Sequence, residues 1–276
     1  MYRLRWAGEV AWLQSSGVSS VSGGGRRGDV RDWSKGSRRR AFRAVKACVW
    51  PGALVHVVLT YPWCDRPMDG AVAARHLDSF RGRWRRRFKS SPVGFWKREF
   101  TRRGSLHYHL WLVVPSSLFP AVGTRQVAPE EPPLVALRDL RSFCSLAWAG
   151  VVRSSHPKHV KAGTKVKPWT GSPASYIAAY VLKKGPKEYQ HRLPEGFERP
   201  GRWWGLWGMS PQWTEVQLDP SEFFRMRRRF RRLSRSRGVK LRVRGRSGAW
   251  IAMRGEQGFS AVRDVAWLVR PEDLER

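Results

Sequence analysis

Cysteine is scarce in this chain and acidic residues are few. Cys48, Cys64 and Cys144 are an odd set with no CxxC spacing, which argues against a disulfide framework and against a cysteine zinc site. No apolar run reaches the roughly 18–20 residues of a membrane span. The opening "MYRLRWAGEVAWLQSSG" lacks the continuous apolar region of a signal peptide. The sequence therefore reads as soluble and cytosolic, with no membrane partner. No GxxxxGK[ST] phosphate loop occurs, so any DNA unwinding must come from another protein. Asp and Glu number only 21 against 53 Lys and Arg, a formal net charge of +32. A polyanion accounts for such an excess, because each neutralised phosphate releases condensed counterions. Nucleic acid is the leading partner, and an anionic membrane surface is a distant second.

What is present suits a folded protein. The 276 residues are 41% hydrophobic and include 16 Trp, enough for a core and against wholesale disorder. Ser and Gly dominate "QSSGVSSVSGGGRRGDVRDWSKGS" at 14–37, so the expected organisation is a flexible leader over 1–36, a folded domain over 37–218 and a basic C-terminal helix and tail over 219–276. "SRRRAFRAVKACV" reads as a basic helix capped by Ser37, and "ALVHVVLTY" as a buried central strand. Leu77, Phe80, Trp84 and Phe88 fall at steps of 3, 4 and 4, one face of a helix whose back is solvated or faces phosphate. Residues 93–101 and 106–114 read as a hairpin around "RRGS", with Gly104 in the positive-φ position. "LVALRDLRSFCSLAWAG" is a helix, and so is "SPASYIAAYVLKKGP", capped by Ser172. "GRWWGLWG" and "WTEVQL" are further strands, followed by the basic helix "EFFRMRRRFRRLSRSRG" with Phe224, Phe230 and Leu233 as core contacts. Hairpins recur and βαβ units do not. The expected fold is α+β around a central antiparallel sheet.

Two constellations carry chemistry. His107 and His109 in "LHYHL" project from the same side of a strand, because side chains alternate faces. A hairpin symmetric about Arg103 places Glu99 opposite His107 on that face, and a slip of one residue would remove it. Two imidazoles and a carboxylate form a donor set able to hold Mg²⁺ or Mn²⁺ with positions open for phosphate oxygens. A hydrogen-bonded histidine pair near a sheet surface is the competing reading. In "YIAAYVLKK", Tyr176 and Tyr180 stack one helical turn apart, with Lys183 and Lys184 beyond them on the same side. Such a pair is more often packing. A phenol is nonetheless a competent nucleophile toward phosphorus when metal polarises the phosphate and a lysine offsets developing charge. Downstream, Arg227, Arg228, Arg229, Arg231 and Arg232 begin a basic stretch over 227–246 that reads as a phosphate-contacting surface or a solvated face. Trp203, Trp204 and Trp207 stack bases or, for at least one of them, fill the core.

Taken in order, "VVLTYPW" at 57–63, "HYH" at 107–109 preceded by Glu99, and Tyr180 three residues before Lys183 resemble the three motifs of the HUH endonucleases. The likeness covers about residues 37–218 and is nearest to rolling-circle replication initiators of small plasmids and single-stranded DNA phages. Tyr176 makes it look like the two-tyrosine subgroup, although Ala179 stands where the family often has lysine. The resemblance implies an HUH palm, ferredoxin-like or RRM-like, with Glu99, His107 and His109 as metal ligands. It implies nicking and rejoining of single-stranded origin DNA through a 5′-phosphotyrosyl intermediate. Tyr180, Tyr176 and Lys183 would be catalytic, Lys184 would contact DNA, and a host helicase and polymerase would be partners in the cytoplasm of a bacterial host. A transposase or relaxase with the same motifs, or a non-catalytic nucleic-acid-binding protein, are the alternatives.

Overall fold

Part of the expected leader begins the fold. In a computed structural model, which describes residues 2–8, 10–15, 32–119, 132–154, 156–170, 173, 188–236 and 250–254, strands β1 (Tyr2–Ala7) and β2 (Val10–Ser15) pair antiparallel with Leu4 opposite Leu13. A leader over 1–36 is thus corrected at its start, where Leu4, Val10, Ala11 and Leu13 are buried and hold the hairpin in a sheet. Residues 16–31 lie outside the described residues.

Helix α1 (Lys35–Ala47) starts earlier than expected. Ser34 caps it, its Oγ accepting from the Ser37 N–H at 3.2 Å and its carbonyl from the Arg38 N–H at 2.9 Å. The Ser37 hydroxyl instead accepts from Trp204 Nε1 at 3.1 Å. There follow β3 (Leu54–Thr60), α2 (Gly70–Phe88), β4 (Gly94–Phe100), β5 (Leu106–Val113), α3 (Leu134–Val152), α4 (Pro157–Ala162) and β6 (Thr164–Trp169). After these come β7 (Trp204–Trp207), β8 (Thr214–Leu218), α5 (Pro220–Ser236) and β9 (Trp250–Arg254).

The chain divides into two units. One holds a four-stranded antiparallel sheet in the order β8-β1-β2-β9, with α5 packed on it. Arg43–Val49 and the described residues from Ser210 onward group with the N-terminal hairpin. Phe223, Met226 and Phe230 of α5 are buried with Leu4, Leu13 and Leu218. Phe224, expected in the core, is 43% exposed. The 3.6-residue period explains the difference, since positions 223, 226 and 230 share one helix face and 224 does not.

The other unit holds a five-stranded antiparallel sheet, β6-β3-β5-β4-β7. The fold is α+β with a central antiparallel sheet, as the hairpin pattern predicts. Asp69 caps α2 by accepting from the Ala71 N–H at 2.6 Å. Leu77, Phe80, Trp84 and Phe88 are buried, as their spacing predicts. Phe80 and Trp84 meet Phe143 of α3, with ring centroids 6.1 and 5.9 Å apart. From α3, Trp148 reaches the sheet, its Nε1 donating to the Thr60 carbonyl at 2.8 Å and its ring standing edge-on to Tyr61 and Tyr108. Trp203 and Trp207 are buried, which makes them core residues. All three cysteines are free thiols. Among the described residues, no helix is long and apolar enough to cross a membrane.

Candidate metal centre

The site grows from the β4–β5 hairpin. Gly104 takes φ +79° in its turn, a backbone conformation open to glycine without strain. The register then follows symmetry about Arg103: Glu99 lies opposite His107 and Lys97 opposite His109. On the other flank of β5, His56 of β3 pairs with Trp111, Val58 with His109 and Thr60 with His107. Alternation along these strands turns His107, His109, Trp111, His56, Lys97 and Glu99 to one face. Tyr108, Leu110 and Leu59 turn the other way, to the side where Trp148 of α3 packs.

Glu99 is the hub. Its Oε2 lies 3.4 Å from His107 Nε2 and 3.2 Å from His109 Nε2. One ligand atom from each residue falls within 4.8 Å of the others. Such a group of one oxygen and two nitrogens could hold a divalent metal and leave positions for further ligands. The electrostatics put the donors in the right form. Burial works against charge on Glu99, but Lys97 and the hydrogen bonds from both imidazoles outweigh it and hold the carboxyl well below the usual carboxylate range. Burial also lowers the pKa of His109, only partly opposed by Glu99, so its imidazole is neutral and has a lone pair to give. A metal site requires this protonation state. The residues fit the ion.

Further side chains brace these three. His56 Nε2 lies 2.9 Å from His109 Nδ1, and its ring stacks on Trp111 at 4.7 Å between centroids. Burial and the neighbouring His109 push the His56 pKa down to about 3, so it too is neutral. When His109 uses Nε2 as a ligand, its proton sits on Nδ1 and donates to His56, which fixes the tautomer and the ring. Lys97, fully buried, ion-pairs with the other Glu99 oxygen, and its Nζ lies 4.8 Å from the Trp33 ring centroid. Burial brings Lys97 down to about 8 despite Glu99. His191 stands edge-on to Trp33 at 5.4 Å, and burial together with Lys97 lowers it to about 4. On the same face of the sheet, edge strand β6 presents exposed Lys165 and Lys167, opposite Val58 and His56 in register.

No protein-family model and no curated protein matches this chain. Of the residues expected from sequence, Glu99, His107 and His109 are brought together. Tyr176, Tyr180, Lys183 and Lys184 lie outside the described residues. Arg227, Arg228, Arg229, Arg231 and Arg232 sit on α5 in the other unit, with Arg228, Arg229 and Arg232 exposed. Sequence reasoning missed His56, Lys97 and His191. Lys97 had a signal, since it precedes Glu99 by two and must share its face. His56 lay inside a run read only as apolar strand. His191 had none.

Proposed function

We propose that the chain is a metal-dependent DNA-nicking enzyme and strand transferase acting on single-stranded DNA. The observation that carries this reading is the in-register convergence of Glu99, His107 and His109 on one sheet face, with Lys165 and Lys167 on the same face of edge strand β6, beyond β3. Mg²⁺ or Mn²⁺ held there would polarise the scissile phosphodiester and offset its developing charge. Lys165 and Lys167 would position flanking phosphates without reading sequence. Tyr180 would attack phosphorus: its oxygen forms the new P–O bond, the bond to the 3′ oxygen breaks, and the phenolic proton passes to that leaving oxygen. The phosphodiester energy is kept in a 5′-phosphotyrosyl link, so resealing needs no ATP. Tyr176, four residues earlier in the chain, would make a second cut, and Lys183 would stabilise charge near Tyr180. The replicative setting belongs to the same proposal, with an origin strand as substrate and a host helicase and polymerase extending the free 3′ hydroxyl.

The test is incubation of the full chain with single-stranded oligonucleotides and Mn²⁺, followed by denaturing electrophoresis. A denaturation-resistant protein–DNA species is expected, absent in chelator and in the Tyr176→Phe/Tyr180→Phe double variant. Adduct formation at full rate in that double variant would overturn the nucleophile assignment. One observation favours a second reading. Lys97 already neutralises Glu99, so the cluster can stand as a metal-free polar network inside a non-catalytic nucleic-acid-binding protein. That protein would bind DNA without an adduct and show no saturable Mn²⁺ site.

A further inference from the structure

The helical side of the five-stranded sheet carries a second charged feature, independent of the Glu99 cluster. Between α2 and α3 lies an open cavity of about 600 Å³, walled by Arg83, Arg86 and Arg87 on one side and by Phe143 and Leu146 on the other. A neighbouring cavity of about 580 Å³ continues along α2 past Gly82 to Arg75 and shares Arg83 and Arg86. The arginine row from 75 to 86 spans about 16 Å of helix at 1.5 Å per residue. It lies along a single helix stripe, because positions 75, 79, 82, 83 and 86 recur at helical spacing.

Three observations indicate what the channel takes. Arg75, Arg83 and Arg86 form no ion pair or hydrogen bond through their guanidinium groups among the described residues, although Asp78 and Asp139 line the same walls. Their donors are uncommitted, and a planar guanidinium matches a phosphate in two-point geometry. Second, α3 makes room for one of them: a Cβ on Gly150 would come within 3.1 Å of Arg83 Nη1. Third, the opposite wall, which also carries Asp139 and Ser142, presents exposed apolar surface. Leu146 is 66% exposed and Phe143 half-buried, which offers apolar and aromatic surface to bases and sugars. A row of guanidinium groups facing an exposed leucine and an aromatic ring suits a strand with unstacked bases, and suits the outer backbone of a duplex less well.

We propose that the α2–α3 channel is a second nucleic-acid track, binding the phosphodiester backbone of single-stranded DNA on the sheet side away from the metal centre. The arginines contact phosphates, and Phe143 and Leu146 contact bases. The chain then holds two stretches of strand at once, one on each side of the same sheet.

The test is fluorescence anisotropy of the full chain with a labelled single-stranded oligodeoxynucleotide across a range of NaCl. Arg83→Glu/Arg86→Glu is compared with Arg85→Glu/Lys89→Glu, an equal charge change on the last turn of α2 and its C-cap, outside the channel lining. Each single-strand phosphate contact contributes about 0.7 to the slope of log affinity against log salt. The channel variant should therefore flatten that slope by about 1.4, and the control by less than half as much. Arg83→Gln/Arg86→Gln removes the same two contacts, should flatten the slope by a similar amount with a smaller loss of affinity, and serves if the reversed pair misfolds. Saturable Mn²⁺ binding should be unchanged in all three, so failure here is distinguishable from failure of the nicking reading. Equal flattening in channel and control variants would mean diffuse charge and would overturn the proposal, as would an unchanged slope. Binding of a glutamate-rich peptide as tightly as the oligonucleotide, lost in the same channel variant, would reassign the channel to an acidic protein and overturn it too.

Discussion

The two faces of the five-stranded sheet are made from the same strands, yet they have opposite chemistry. On the helical side Leu59, Tyr108 and Leu110 lie buried, and Trp148 of α3 closes over Tyr108. On the other side the alternate residues are His56, Lys97, Glu99, His107 and His109. A strand with a period of two can carry a core and a polar cluster in one run, because neighbours never share a face. The helical face supplies rigidity, and the imidazole face uses it. Substitutions on the first should therefore remove the fold and those on the second the ion.

The sharpest way to break this division is Trp148→Ala. Loss of a fully buried indole should cost about 3–5 kcal/mol, read by chemical denaturation. Mn²⁺ affinity, measured by calorimetry under conditions where the variant is still folded, should hardly change. A variant that stays as stable as the parent would show that α3 does not support the sheet.

Glu99→Gln crosses the division. It removes a metal ligand and leaves the Lys97 ammonium buried without its counter-charge, a situation that typically costs about 3–5 kcal/mol. The Lys97→Met/Glu99→Gln pair should recover most of the stability and none of the Mn²⁺ binding. Recovery of binding in the pair would place the ion elsewhere.

Next in size is the response to acid. His56 titrates at about 3 and His191 at about 4 in the folded chain, against an ordinary 6.5. An unfolded chain therefore takes up protons that the folded one refuses, and stability falls as pH drops below 6.5. The slope is at most about 1.4 kcal/mol per pH unit for each imidazole. Glu99, whose folded pKa is depressed, adds to the loss once pH falls below its ordinary 4.5. His191→Gln should make the stability–pH profile between 6.5 and 4 shallower, and a profile that superimposes on the parent's would refute the assignment.

The smallest expected change in stability is that of His107→Ala, within about 1 kcal/mol for a partly exposed side chain. Mn²⁺ binding and adduct formation should nevertheless disappear, while most DNA affinity remains because it comes from dispersed Lys and Arg. Full-rate nicking by this variant in chelator would remove the metal from the reaction.

What could be read from the residues was whatever a local period determines. Leu77, Phe80, Trp84 and Phe88 announced a buried helix face, and symmetry about Arg103 set Glu99 against His107. The same period also contained the packing of α5, where Phe223, Met226 and Phe230 form one face; Phe230 is read correctly and Phe224 is not. Pairings across long stretches of chain were not legible. Nothing near Leu4 indicates that it lies opposite Val216. Nothing near His56 says that β5 will bring His109 beside it, because that register is decided by a strand some fifty residues away. A residue's element can be inferred from its neighbours in sequence, but its partners depend on topology.

Strand β6, "TKVKPW", lies at one edge of the sheet, a position where free backbone groups can invite another chain to add a strand; Arg141 Nε already occupies the Val166 carbonyl at 3.2 Å. Lys165, Lys167 and Pro168 occupy that edge. Two ammonium groups repel an identical strand laid alongside, and the proline ring removes one of the N–H donors that strand would need. The lysines that would steer phosphate toward the metal face thus also disfavour an identical strand at this edge.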